Sequence, residues 1–278
     1  MRNIELRHTF PHLLPGRSLK NLVPGFVLAL LATPALAAEQ SQGNVLTLGG
    51  GVDVAPRYSG SDKSRVGAAQ VVDYAMENGF FISTMRGAGY GNNIGNLDYS
   101  AALSYRVGRK DKDVSSDSIS SGSDYLRGMG DIKGSAIVVP GLGYKVTDWL
   151  HLQLQAEVPV SERDNGEAVH FGIISPLYIS PKNEVTLALT SSWGSDKYMQ
   201  TYYGVSAAQA AASGFARHDA GAGIYAYSLN LDWTHRLTSR WSVLAAAGVT
   251  QLAGDAADSP IVQRKTSPTG SLKLTYSF

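Results

Sequence analysis

Residues 150–160 read Leu-His-Leu-Gln-Leu-Gln-Ala-Glu-Val-Pro-Val. Successive side chains on a strand point to opposite faces, so Leu150, Leu152, Leu154, Ala156, Val158 and Val160 share one face. His151, Gln153, Gln155 and Glu157 share the other. The run is longer than the usual five or six residues of a soluble strand and close to the roughly 9–11 that cross a bilayer. The pattern recurs. Leu97, Tyr99, Ala101, Leu103, Tyr105 and Val107 oppose Asp98, Ser100, Ala102, Ser104 and Arg106. Tyr225, Tyr227, Leu229, Leu231 and Trp233 oppose Ala226, Ser228, Asn230, Asp232 and Thr234, and the chain ends with the same split over 272–278.

Two further features separate a membrane barrel from a soluble sandwich. Trp149, Trp193, Trp233, Trp241 and Tyr178 sit at the ends of these runs, where interfacial girdles form. Connections also alternate between short (77–79, 147–148, 181–183, 237–240) and long (56–65, 161–167, 195–217, 252–267), as in outer-membrane barrels. The expected fold is all-β: a transmembrane antiparallel β-barrel of about twelve strands. Strand candidates fall at 45–55, 66–76, 79–90, 97–107, 132–146, 149–160, 168–180, 184–194, 219–235, 241–252 and 269–278. That list is odd in number, whereas both ends on one side require an even number. Counts from the two termini collide only at 108–131, so a twelfth strand is expected between Gly108 and Asp131.

Composition agrees. Of 278 residues only 17% are charged, against roughly 25% in soluble domains. The apolar fraction stays at 44%, because Ser, Thr, Gly, Ala, Asn, Gln and 14 tyrosines fill the places of charges. A net charge of +1 gives no reason to expect a nucleic-acid partner. The absence of Cys excludes disulfides, thiolate metal sites and a catalytic thiol. Arg2, Arg7, Arg17 and Lys20, the apolar run Phe26–Leu31 and the small-residue site Ala35-Leu36-Ala37 read as a secretory signal peptide over 1–37, which leaves 38–278 as the barrel.

Several loop segments resemble the MipA/OmpV family of MltA-interacting outer-membrane proteins. The most specific run from Ser195-Asp196-Lys197-Tyr198-Met199-Gln200-Thr201-Tyr202-Tyr203-Gly204-Val205 through Gly214 and Phe215, and from Leu252 through Gly254, Asp255, Asp258, Ser259 and Pro260 to Val262. Pro56–Ser61, Leu126–Ile132 and the terminal Tyr276-Ser277-Phe278 support them. The resemblance implies a non-enzymatic barrel in the bacterial outer membrane, set among outer-membrane lipid and lipopolysaccharide. Some family members are described as scaffolds linking a murein lytic transglycosylase to a murein synthase; others are linked to adhesion or to osmotic and antibiotic response. It implies no catalytic residues and no cofactor.

The residues themselves suggest four kinds of chemistry. Leu272, Leu274, Tyr276 and Phe278 alternate up to the carboxyl terminus, the pattern of a signal read by the barrel-assembly machinery through strand addition. Tyr198, Tyr202 and Tyr203 either present an adhesive surface or pack inward and plug the mouth, and packing is the expectation. Asp255 and Asp258, with Asp219 near, would offer oxygens to a hard cation, but such loop acids more often bond backbone N–H groups, so no metal is expected. His151 and His170 with Ser161 or Ser175 would be the elements of a barrel lipid hydrolase, yet no strained Ser turn accompanies them. His218 and His235 add nothing to that pattern. Gln153, Gln155, Glu157, Lys273, Asp98, Arg106, Asn230 and Asp232 are expected to form a packed polar interior, with a narrow small-solute channel as the alternative.

Overall fold

A computed structural model describes residues 43–115 and 120–278; the expected signal peptide lies outside them. The wall begins with β1 (Val45–Pro56), β2 (Ser64–Ala75), β3 (Phe80–Ser83), β4 (Gly87–Ile94) and β5 (Leu97–Arg106). A two-residue parallel pair follows, β6 (Arg109–Lys110) and β7 (Ser121–Gly122), outside the wall. The wall resumes with β8 (Ser135–Thr147), β9 (Leu150–Pro159), β10 (Ala168–Ile179), β11 (Asn183–Gly194), β12 (Gly223–Arg236), β13 (Trp241–Leu252) and β14 (Thr266–Ser277). Among the described residues these twelve wall strands form one closed antiparallel barrel, each beside its neighbour in the chain, with β14 pairing back onto β1.

The total of twelve matches the expectation; the position of the twelfth strand does not. Among the described residues no wall strand lies in 108–131. Instead the expected single strand at 79–90 is two, β3 and β4, separated by Thr84-Met85-Arg86. Arg86 anchors that turn by donating to both carboxylate oxygens of Asp73, at 3.2 and 2.9 Å, while its guanidinium lies 4.1 Å over the Phe81 ring. Gly87 then takes φ +82°, a conformation that side-chain-bearing residues avoid. The described parts of 107–134 thereby connect β5 to β8 on the side opposite the termini.

Lipid-facing and lumen-facing residues separate cleanly. Val52, Leu103, Leu154, Phe171, Leu229 and Leu272 are exposed on the outside, whereas Thr47, Asp53, Asp98, Gln153, Glu184, Thr186, Asp232 and Lys273 are buried inside. A soluble barrel has the opposite arrangement. Among the described residues no helix is long and apolar enough to cross a membrane. Trp149, Trp233, Trp241 and Tyr178 ring the outer surface near the end where Phe278 donates its N–H to the Leu46 carbonyl, called here the terminal end. Trp193 sits toward the other end, the loop end. Turns at the terminal end are short (76–79, 95–96, 148–149, 180–182, 237–240), and the long connections 107–134, 160–167, 195–222 and 253–265 gather at the loop end.

The closing seam between β1 and β14 is built on glycine. A Cβ on inward-facing Gly51 would sit 2.0 Å from the Leu272 carbonyl oxygen, while one on outward-facing Gly50 would meet only the Ala69 oxygen at 3.6 Å. Gly51→Ala is therefore expected to destabilise the barrel by about 1–3 kcal/mol through overpacking, with Gly50→Ala near neutral. Loss of the compact, heat-modifiable band in gel electrophoresis reads this; equal behaviour of the two variants contradicts the seam geometry.

Candidate functional site

The loops at the loop end fold into a plug with its own apolar core. In helix α1 (Asp196–Tyr203), Ser195 caps the first turn by accepting from the Tyr198 N–H, which sends Tyr198, Met199, Tyr202 and Tyr203 inward. They pack with Ala168, Ala220, Tyr225, Ala226, Leu252 and Ala256. The Tyr198 and Tyr225 rings lie 5.0 Å apart, and Tyr198 donates its hydroxyl to the Tyr225 oxygen at 3.2 Å. A second cluster joins four loops through Tyr58, Leu126, Met129, Val205 and Ile261. The family-signature tyrosines thus face the barrel interior and not solvent. Burial pushes their phenol pKa values up, so they act as neutral hydrogen-bonding groups.

Polar contacts fix the plug to the wall. Arg106, at the loop end of β5, donates through Nε to Glu157 at 2.7 Å and through Nη1 to the Asn165 and Gly166 carbonyls at 3.2 and 2.8 Å. Its guanidinium also lies 5.1 Å from the Tyr198 ring centroid. Arg109 is buried and donates to the Tyr202 carbonyl at 2.7 Å. Ser59 and Tyr203 share a hydroxyl–hydroxyl bond of 2.8 Å, Ser259 donates to the Tyr203 carbonyl at 2.5 Å, and Tyr58 donates to the Ile261 carbonyl at 2.8 Å. On the plug's outer side Lys197 donates to Asp164 at 2.9 Å, holding that carboxyl below its usual range.

The remaining signature residues serve the same fold. Gly204 ends α1, where a Cβ would lie 2.2 Å from the Gln200 side-chain nitrogen. Gly214, at φ +82°, ends helix α2 (Ala207–Ser213), whose start carries the reciprocal Ser206/Gln209 capping pair. Asp255, in helix α3 (Gly254–Ala257), accepts from the Gly221 N–H at 2.8 Å, Asp258 accepts from Lys265 at 3.1 Å, and Pro260 follows the buried Ser259. Asp219 pairs with Arg217, not with Asp255 or Asp258, so the three acids are not brought together. Among the described residues no cluster of His, Asp and Glu has the makings of a metal site.

The histidines separate as well. His151 pairs across the sheet with Ile174 and Lys145, and Ser161 accepts from the Ala136 N–H; among the described residues neither Ser161 nor Ser175 bonds a histidine. His170 lies 3.0 Å through Nδ1 from Ser192 Oγ, while its Nε2 is 3.4 Å from Glu157. The residue types are those of a nucleophile relay, but Ser192 is 0% exposed and Glu157 is already held by Arg106. The group works as a packed polar layer beneath the plug. Arg106 was legible as an inward residue; Arg109, Asn165 and Ser192 carry no sequence signal, because their partners lie far along the chain.

The family profile described as "MltA-interacting protein MipA" matches residues 48–278. The chain belongs to the MipA family. MltA-interacting proteins of Escherichia coli K12 and Shigella flexneri are each 26% identical to it over 159 residues, which is 57% of this chain. The matched stretch spans about three fifths (62%) of the length of those curated relatives. Among solved structures the chain is similar to the KdgM porin, with TM-score 0.44 and 10% identity over 84% of this chain and 99% of that one. It is also similar to the COG4313 outer-membrane channel from Pseudomonas putida F1, with TM-score 0.41 and 13% identity over 85% and 96%. Family membership and the lipid-facing wall together make this an outer-membrane barrel protein.

The plug's attachment is testable. Arg106→Ala takes the cation from half-buried Glu157, leaving it the His170 ring 3.4 Å away, at an expected cost of about 1–3 kcal/mol. Arg106→Lys keeps the charge but loses the fork that serves Glu157, Asn165 and Gly166. Protease cutting within 195–222 should accelerate in Arg106→Ala and less in Arg106→Lys; unchanged cutting in both contradicts the anchoring role.

Proposed function

We propose that this MipA-family barrel is a non-enzymatic scaffold of the cell envelope. A signal peptide over 1–37 directs its export, and the barrel-assembly machinery recognises its closing strand through Leu272, Leu274, Tyr276 and Phe278. It then sits among outer-membrane lipid and lipopolysaccharide, with the terminal end in the periplasm and the plug outside. Its partners are a murein lytic transglycosylase and, through it, a murein synthase.

The observation that carries this reading is the packed loop end: the signature loops bury their tyrosines against the wall and one another, which suits a platform better than an open pore. The relatives' name, MltA-interacting protein, supplies the partner class. Among the described residues the terminal end offers short turns, so we assign the contact to their basic tips, Lys182, Arg236 and Arg240, together with the barrel rim. The alternative reading is a narrow small-solute channel, favoured by the charged lumen around Asp53, Arg65 and Lys273. Affinity capture of the tagged barrel from membranes should retain the lytic transglycosylase, and combined Lys182→Glu and Arg240→Glu should weaken retention at least tenfold. Equal recovery from an unrelated barrel of the same abundance overturns the scaffold reading.

A further inference from the structure

The short β3–β4 hairpin leaves the wall incomplete. β2 pairs with β3 only through Asp73, Tyr74 and Ala75, and β5 pairs with β4 only as far as Leu103. Toward the loop end β2 and β5 continue, among the described residues, without a strand between them. The gap is framed on all sides. Its sill is Thr84-Met85-Arg86, and its lintel is the β6–β7 pair, where Gly122 donates to the Arg57 carbonyl at 3.0 Å and Ser121 to the Gly108 carbonyl at 3.1 Å.

The edge of β2 inside this frame is polar. Thr84 donates its N–H to the Val72 carbonyl, Val72 donates to the Thr84 hydroxyl, and that hydroxyl lies 3.2 Å from the Gln70 carbonyl. Backbone groups alternate sides along a strand, so those of Ala68 and Val66 point into the gap too. The Gln70 N–H and both backbone groups of Ala68 and Val66 have no hydrogen-bond partner among the described residues. On the outer face the same residues, with Leu103 and Tyr105, present exposed side chains to the membrane. Hydrocarbon cannot satisfy such an edge, and lipid-exposed open edges do not persist in a bilayer.

We propose that this lateral window binds an outer-leaflet amphiphile of the lipopolysaccharide class. Its acyl chains lie on Val66, Ala68 and Leu103, and its amide-linked, hydroxylated acyl roots pair with the free edge. The edge offers both donors and acceptors; ester-linked phospholipids bring only acceptors at that depth, whereas an acyl amide or hydroxyl brings both. An added strand fits less well, because sill and lintel leave it no way to run out at either end. The proposal rests on the barrel spanning the outer membrane and not on any murein partner.

The test reconstitutes the full barrel in phosphatidylglycerol vesicles with or without purified lipopolysaccharide, then extracts it gently for native mass spectrometry. Wild type should retain a lipopolysaccharide adduct and no comparable phospholipid adduct. Ala68→Pro removes a donor that points into the gap and does not serve the β1–β2 ladder, so the barrel should stay heat-modifiable while occupancy falls at least fivefold. Val66→Pro has the same geometry if Ala68→Pro does not fold. Gln70→Cys, in a chain that has no other cysteine, carries a benzophenone crosslinker and should capture lipopolysaccharide in native membranes. No adduct on the wild type, equal adducts from phospholipid alone, unchanged occupancy in the proline variants, or a polypeptide crosslink at 70 each overturns the proposal. A barrel that folds in vesicles yet binds nothing fails the window alone.

Discussion

Lipid offers no hydrogen bonds, and this one constraint organises the molecule. Backbone N–H and C=O groups facing lipid need partners, and apart from the short β2 edge above the β3–β4 hairpin the wall supplies them itself, so the sheet closes and β14 returns to β1. Closure gives each strand one face toward hydrocarbon and one toward the interior. The first face excludes charge, and the second accepts Thr, Gln and a few balanced ions. The low charge content and the unremarkable apolar fraction both follow from that division.

A twelve-strand wall encloses more space than its own side chains fill, and the loop end supplies the rest. Inward groups such as Thr186 and Thr275 are buried, each 2% exposed, and the tyrosine core under α1 packs against the wall at the loop end. Arg106 links the two layers, because one guanidinium serves a wall carboxylate, two loop carbonyls and a tyrosine face.

Much of this was legible in the sequence. The period-two runs, the aromatic strand ends and the short-long alternation of connections predict the barrel, and parity alone demands a twelfth strand. Its place was not legible, for a physical reason. Phe81, Ser83 and Met85 all face inward, so alternation passes through the turn without a change of phase and 79–90 reads as one strand. The only local mark is Gly87, one glycine in a glycine-rich stretch. The plug was legible as loops with packing tyrosines and a capped helix. Its anchors were not, because Arg109 meets Tyr202 and Ser192 meets His170 only once the barrel has closed.

Signature loops packed in this way should shut the lumen. Single-channel recording of the purified full barrel in planar lipid bilayers tests it most directly. The closed arrangement predicts no steady conductance in the wild type, with brief openings at most. Stable, long-lived open steps in the wild type, of a size typical of porins, would contradict it.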